Sequence, residues 1–291
     1  MSSSAARIRS LLADGETVNM PGVYDALTAR LADQAGFPVM FISGYSVSAA
    51  RLAAPDFGYI TQTEMTQAAT AVCSAVDAAV IVDADTGYGN ALSARRTAEE
   101  FARAGAAGVF LEDQEWPKKC GHFAGKRVVD RDDWLAKLRA LVDLREEGVD
   151  LYVVARTDAR AAVSLDEAIE RAKSARDLGV DAIFVEAPRT LDELERVGRE
   201  VEDTVRVANM IEGGRTPLLT PAELSELGYD LIVTPLSALM AATHAVREAF
   251  ARLRDEGTLA QHRGRLVDFT EFEGVVGTAE HRELERRYSP D

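Results

Sequence analysis

Short apolar runs alternate along the chain with stretches of helical spacing. The runs fall at residues 18–20, 39–42, 79–82, 109–111, 151–155, 182–185, 205–208 and 231–233. Each is brief, and apart from Asn19 in the weak first run and Arg206 in the seventh they are unbroken, the pattern of strands covered on both faces and therefore of a parallel sheet. Helical periodicity fills the gaps: 26–35, closed by Gly36; 63–75; 93–104, with Ser93 as N-cap; 130–146, capped by Asp130; a helix opened by the box-like Ser164-Leu165-Asp166-Glu167; and 190–201. Eight strand–helix units in one chain predict an α/β fold, a closed (β/α)8 TIM barrel. The alternative is an open doubly wound sheet. No G-x-G-x-x-G follows the first strand, and Gly87-Tyr88-Gly89 is too short to replace it. Beyond the eighth strand, 237–253 reads as a long amphipathic helix and 257–291 as a charged helical tail that a barrel does not need. The expected division is a barrel domain over 1–256 and a C-terminal extension over 257–291.

Composition narrows the class. A chain of 291 residues with 47% hydrophobic and 28% charged side chains can bury a sizeable core. No apolar run approaches the ~20 residues of a membrane span, and the first residues lack a signal-peptide core. Cys73 and Cys120 make no disulfide framework, so reduced thiols and a cytoplasmic location are expected. The formal net charge of −15 repels nucleic acid and anionic membranes. It fits a salt-rich cytoplasm or simply an acidic soluble protein. It also means that an anionic substrate needs local cations or a metal.

Chemistry-bearing residues gather at the strand ends, where barrels keep their sites. Asp83 and Asp85 follow the third apolar run, and at strand spacing both project the same way. Glu112 ends the fourth. Three carboxylates at adjacent strand ends form a hard oxygen set suited to Mg²⁺, and no His/Cys spacing suggests zinc. The stretch Asp113–Lys126 carries Lys118, Lys119, Cys120, Gly121 and His122 in succession. A cysteine beside cations has a stabilised thiolate, and Gly121 and Gly125 permit closure; a plain basic loop is the alternative. Arg156 ends the fifth run and needs an anion, either a substrate carboxylate or an ion pair with Glu186. Ser43-Gly44-Tyr45 offers backbone N–H groups or is an ordinary tight turn. Asn209 ends the seventh run. His244 reads as packing, His262 and His281 as exposed tail residues, and Cys73 as a small core residue.

Lys118-Lys119-Cys120-Gly121-His122 resembles the K-[KR]-C-G-H signature of the isocitrate lyase and phosphoenolpyruvate mutase superfamily. Asp83-Ala84-Asp85-Thr86-Gly87-Tyr88-Gly89 resembles its metal motif, and the likeness runs from about residue 21 to 250. It implies Asp85 nearest Mg²⁺ (with Mn²⁺ as a substitute), and Asp83 and Glu112 acting largely through bound water. It further implies catalytic roles for Cys120, Lys118, His122 and Glu112, and substrate contacts at Ser43, Gly44, Tyr45, Gly121, Arg156, Glu186 and Asn209. Terminal helices exchanged between subunits of a homo-oligomer, a tetramer, are implied as well. The loop cysteine favours a carbon–carbon lyase acting on a small carboxylate, although the carboxyphosphonoenolpyruvate phosphonomutase branch shares it. Met240 stands where the methylisocitrate lyases carry an arginine, which favours a dicarboxylate over a tricarboxylate.

Overall fold

The computed structural model describes residues 4–13, 15–119 and 125–289. Its eight strands are β1 (Val18–Val23), β2 (Val39–Ile42), β3 (Ala79–Asp83), β4 (Gly108–Glu112), β5 (Tyr152–Thr157), β6 (Ala182–Val185), β7 (Val205–Asn209) and β8 (Leu231–Thr234). Each pairs in parallel with the next, and β1 pairs with β8, closing the barrel. The open-sheet alternative is thereby removed. The helices are α1 (Ser4–Ala13), α2 (Ala26–Gln34), α3 (Gly44–Leu52), α4 (Gln62–Cys73), α5 (Ala91–Arg103), α6 (Arg131–Glu146), α7 (Ala159–Ala162), α8 (Leu165–Asp177), α9 (Leu191–Glu200), α10 (Pro221–Glu226), α11 (Ser237–Glu256), α12 (Phe269–Val275) and α13 (Thr278–Tyr288).

Alternation along the strands sorts the core into two layers. Val80, Val82, Val109, Leu111, Val153 and Ile183 face outward and pack with helix residues such as Phe101, Trp134 and Leu138. Their neighbours Phe41, Ile81, Phe110, Val154, Phe184 and Val207 fill the barrel interior. There Phe110 stands 4.7 Å from Phe41 and 5.7 Å from Phe184 between ring centres, in tilted pairs. Where β1 meets the residues after β8, Gly22 is required: a Cβ there would lie 2.2 Å from the Pro235 carbonyl oxygen.

Two local expectations change. The helix expected to start at Ser93 starts at Ala91, because Asn90 is the cap and its Oδ1 accepts from the N–H groups of Leu92 and Ser93 at 3.1 Å each. Ser43-Gly44-Tyr45 is not an isolated turn. It opens α3, with Ser43 Oγ accepting from Ser46 N–H at 3.3 Å. Ser164 caps α8 as expected, accepting from Glu167 N–H. The reciprocal half of the box is not made, since Glu167 turns its carboxylate to Arg131 and Arg171. Helix α1 was not anticipated. Its Ala5 and Ile8 join the interior cluster with Val39, Ala79 and Ala182, residues at the starts of their strands, so α1 covers the N-terminal end of the barrel. Arg9 anchors it on Asp181 at 2.8 Å and the Leu151 carbonyl at 2.7 Å.

The chain separates into two compact units, Met1–Ala238 and Leu239–Asp291, with the division inside α11. In the second unit α11 buries no side chain. Val246, Phe250, Leu266, Phe269, Phe272 and Tyr288 stand exposed. His244, expected to pack, is exposed on α11, and His262 is half-buried with its Nε2 at 2.9 Å from Glu256.

Candidate active site

The site is the next layer of the barrel interior. Moving two residues on from each inward-facing core residue leads from Phe41 to Ser43, Ile81 to Asp83, Phe110 to Glu112, Val154 to Arg156, Phe184 to Glu186 and Val207 to Asn209. Strand periodicity therefore aims six polar side chains into one mouth, at the C-terminal ends of β2 to β7. A cavity of about 40 Å³ there is lined by Ser43, Tyr45, Asp83, Arg156, Glu186 and Asn209 over the rings of Phe41, Phe110 and Phe184. Ile211, Val233, Pro235 and Leu236 make its wall on the β7–β8 side.

Gly44, Asp85, Glu112 and Lys118 lie immediately behind this lining. Asp83 accepts from Gly44 N–H at 3.2 Å and from Asp85 N–H at 3.1 Å. A side chain at position 44 would put its Cβ 2.9 Å from Asp83 Oδ2, so glycine keeps this approach open. The β3–β4 pairing runs past the end of β3: Ala84 N–H donates to Phe110 O and Glu112 N–H to Asp85 O, both at 2.9 Å. That holds Asp85, at φ +47°, beside Glu112. Both carboxylates are buried, 1% and 2% exposed. Lys118, also buried, sets its ammonium 2.5 Å from Asp85 Oδ1 and 2.7 Å from Asp56 Oδ1. Burial pushes the Asp85 carboxyl up to about 7 against the pull of Lys118, with Asp83 and Asp56 adding to the rise. Burial likewise raises Glu112 well above the usual carboxylate range, opposed by Arg156 and Lys118. For Lys118 burial works against the charge, but Asp85, Asp56, Asp83 and Glu112 outweigh it and hold the ammonium protonated.

Arg156 is surrounded by carboxylates. Its Nε donates to Asp158 Oδ2 at 3.0 Å, and its Nη2 lies 3.4 Å from both Glu112 Oε2 and Glu186 Oε2. The guanidinium carbon sits 5.4 Å above the Phe184 ring. Arg156 pairs with Glu186 and lines the cavity. Asn209 Nδ2 donates to Glu186 at 3.3 Å, while its Oδ1 is buried without a hydrogen-bond partner.

The loop that follows β4 is braced at its stems. Gln114 and Val128 form an antiparallel bridge, Glu115 N–H donates to Arg127 O, and the Gln114 amide exchanges hydrogen bonds with Lys119 N–H and O. Cys120, Gly121 and His122 lie outside the described residues. Cys73, in α4, is a half-buried thiol pushed up to about 11 by burial, which suits a packing residue. Sequence reasoning missed Asp56, Asp113, Lys126 and Asp158. Asp158 had a signal, two positions beyond Arg156 in the same period. Asp56 had none, since it lies in the irregular stretch between α3 and α4.

Among the described residues no three His, Cys, Asp or Glu side chains form a ready metal cage. The donor set nevertheless fits a hard divalent ion. Glu112 Oε1 is buried and has no hydrogen-bond partner. Asp83 and Asp85 would supply the one or two carboxylates that Mg²⁺ takes while keeping its waters. Around the mouth, three cations (Lys118, Lys126, Arg156) face six carboxylates (Asp56, Asp83, Asp85, Glu112, Asp158, Glu186). A further positive charge is what an anionic substrate would need there.

A closed barrel with an acidic, arginine-bearing mouth and a loop over β4 defines a class of small-carboxylate enzymes. The chain belongs to the family described as phosphoenolpyruvate phosphomutase, which matches residues 8–254, within the isocitrate lyase/phosphoenolpyruvate mutase superfamily. It is an enzyme of that superfamily, whose members similar to it are named as lyases and mutases. It is 47% identical to the chloroplastic carboxyvinyl-carboxyphosphonate phosphorylmutase of Arabidopsis thaliana, over 97% of this chain and 84% of that protein. It is 40% identical to 2,3-dimethylmalate lyase of Eubacterium barkeri, over 98% of each. Oxaloacetate acetylhydrolase in complex with 3,3-difluorooxalacetate superposes with a TM-score of 0.92 at 34% identity, covering 98% of this chain and 96% of that one. A phosphonopyruvate hydrolase complex with oxalate and Mg²⁺ gives 0.88 at 28% identity, covering 99% of each.

Proposed function

We propose that this protein is a Mg²⁺-dependent lyase that cleaves the C2–C3 bond of a 2-hydroxy- or 2-oxodicarboxylate. The observation that carries the reading is a small cavity lined by Asp83 and Arg156, with Asp85 and Glu112 immediately behind its lining. The metal, held most closely by Asp85 with Asp83 and Glu112 reached largely through water, would supply Lewis acidity and a template for the substrate's C1 carboxylate and C2 oxygen. Arg156 binds a substrate carboxylate, with Glu112, Asp158 and Glu186 fixing its plane. Ser43, which lines the same cavity, faces the same anion, and Asn209 and Glu186 orient the C2 oxygen. Lys118 neutralises Asp85 and carries the loop that closes the site. The 2-hydroxyl, or one hydroxyl of the hydrate that a 2-oxo acid forms by adding water at C2, gives its proton to the Glu186 carboxylate and becomes a carbonyl as the C2–C3 electrons pass to the departing carboxylate fragment; Cys120, with His122 and Gly121 beside it, delivers the proton that fragment requires and is left as the thiolate. The neutral wall of Ile211, Val233, Pro235 and Leu236 supports a substrate with two carboxylates rather than three.

The second reading is a phosphonate-processing mutase, favoured by the relative at 47% identity. One assay separates the two: a panel of dimethylmalate, methylisocitrate, oxaloacetate and phosphonate substrates, with and without EDTA, followed by proton and phosphorus NMR. Metal-dependent C–C cleavage supports the lyase, and a phosphorus-dependent change without it supports the mutase. Full-rate cleavage in EDTA would sink the metal reading.

The exposed apolar residues of α11 to α13 support assembly with further copies of the chain, as a tetramer with exchanged terminal helices. Light scattering of the full chain, and of a chain ending at 256, checks this. No described helix is long and apolar enough to cross a membrane, and a cytoplasmic location remains part of the proposal, to be checked by cell fractionation.

A further inference from the structure

Both stems of the loop over 113–129 are tied to one place at the end of β5. On the outgoing side, Asp113 is wholly buried. Its Oδ2 accepts from the Thr157 hydroxyl at 2.6 Å and its Oδ1 from Asp158 N–H at 2.7 Å. Arg171 of α8 pairs with the same carboxylate at 3.2 Å. Its backbone oxygen also takes the returning chain, accepting from Val129 N–H at 2.9 Å. On the return side, Lys126 sets its ammonium on Asp158 Oδ1.

Asp158 also holds the arginine at the cavity. Its Oδ2 accepts from Arg156 Nε at 3.0 Å, and its Oδ1, the oxygen that meets Lys126, accepts from Arg156 Nη2 at 3.3 Å. The Asp158 and Lys126 side chains are 0% and 1% exposed. One dry carboxylate therefore bridges an ammonium from the loop and a guanidinium from the site. Removing it would take from both buried cations a carboxylate that they share, so a shift of one is felt by the other. Arg156 itself lines the cavity, beside Asp83, Glu186 and Asn209.

We propose that Asp158 is a positioning residue which couples the seating of the 113–129 loop to the orientation of Arg156, so that the loop stem and the carboxylate-binding guanidinium are set together. The proposal rests on Arg156 being the partner of a substrate carboxylate, as in the reading above. Asp158 reaches the substrate only through Arg156. A merely structural brace would lower stability and leave substrate affinity alone, which is the contrast to test.

The test uses the full-length, Mg²⁺-loaded protein with Lys126→Gln, Asp158→Asn and the double variant. Amide exchange read by mass spectrometry needs no substrate; oxalate binding and a KM-against-kcat comparison follow it. Lys126→Gln should speed exchange in 113–119 and 125–129, and also at 156–158. It should weaken oxalate binding and raise KM by about 10-fold, with a smaller change in kcat. Asp158→Asn should lower kcat/KM by about 10²-fold, the scale of a misplaced binding group. The double variant should be no worse than Asp158→Asn alone. Lys126→Arg should restore most of the loss. A Lys126→Gln protein whose loop loosens while exchange at 156–158 stays unchanged overturns the proposal, as do effects that simply multiply in the double variant. If Asp158→Asn does not fold, the Lys126 pair decides by the same criteria. If the wild-type protein binds neither oxalate nor any dicarboxylate, the functional reading fails, and exchange at 156–158 still decides the coupling.

Discussion

The Lys118 ammonium and the Asp85 carboxylate form a buried pair, the side chains 3% and 2% exposed, at 2.5 Å. They come from different elements, Asp85 from the residues just past β3 and Lys118 from the loop after β4. Such a pair is costly to desolvate and offsets that cost only with further partners. Here Asp56 supplies one, at 2.7 Å from the same ammonium. The lysine thus places a positive charge where the acid cluster most needs it, and joins the loop to the carboxylate on which metal binding depends in the proposed reaction.

Asp85→Ala should abolish the metal response. In the wild-type protein, millimolar Mg²⁺ should raise the melting temperature, because a ligand that binds only the folded state stabilises it by mass action. In Asp85→Ala that rise should vanish, and kcat/KM should fall by about 10²-fold or more. Differential scanning fluorimetry across a Mg²⁺ titration checks the first part. An undiminished Mg²⁺-dependent rise in the variant would show that the metal sits elsewhere.

Ile8→Ala tests whether α1 belongs to the barrel core. Ile8 is 0% exposed within the interior cluster. Truncating a buried isoleucine to alanine costs about 2–5 kcal/mol, whereas an appendage would lose under about 0.5 kcal/mol. Urea unfolding monitored by circular dichroism distinguishes the two, with the active-site constants expected to hold.

Glu193 contributes to the acid limb of stability. It accepts from Arg160 Nε at 2.8 Å and from Arg189 N–H at 2.7 Å. Burial works to raise its pKa, but these hydrogen bonds and both arginines outweigh it and set the carboxyl below its ordinary 4.5. A carboxyl with a depressed folded-state pKa gives stability that is present above the unfolded value and lost as pH falls through the folded one. Glu193→Gln should therefore cost about 1 kcal/mol at pH 7, with the difference closing as pH falls through the carboxyl's depressed folded-state pKa. Parallel curves that never converge between pH 7 and pH 3 would remove Glu193 from the acid limb.

The barrel was legible because its information is local and periodic. Eight apolar runs map onto eight strands with ends displaced by three residues at most, and Asp83, Glu112, Arg156, Glu186 and Asn209 are each one strand period beyond an inward-facing core residue. What could not be read is non-local. Asp56 reaches Lys118 from an irregular stretch with no period of its own. Lys126 meets Asp158 across a loop whose fold depends on both. Helix α1 carries few large apolar residues, and its burial is visible only once the strand starts form a floor for it. Asn90 displaced Ser93 as a cap because both are good caps, and the chain entering from Gly89 decided between them.

Cys120 carries the prediction most specific to the proposed chemistry. Its neighbours in sequence, Lys118, Lys119 and His122, favour the thiolate. Cleavage needs a thiol when the enolate-like fragment leaves, and the reverse reaction needs the thiolate, so a pKa near the working pH serves both directions. Cys120→Ser keeps a hydrogen-bonding group of similar size but replaces a thiol of pKa ~8.5 with a far weaker acid. If the thiol delivers the proton, C–C cleavage should fall by about 10²–10⁴-fold. The Mg²⁺-dependent rise in melting temperature and the affinity for oxalate should survive, because neither uses the proton. If the loop only excludes water, the serine variant should be nearly silent and bulky replacements of Gly121 or Gly125 should do the damage. If the reaction is phosphonate rearrangement, no carbanion needs protonation, and the serine variant should turn over its phosphonate almost normally. Steady-state rates, metal melts and oxalate titrations on the one variant separate these outcomes, and undiminished C–C cleavage by Cys120→Ser would end the proposed mechanism while leaving the fold and family untouched.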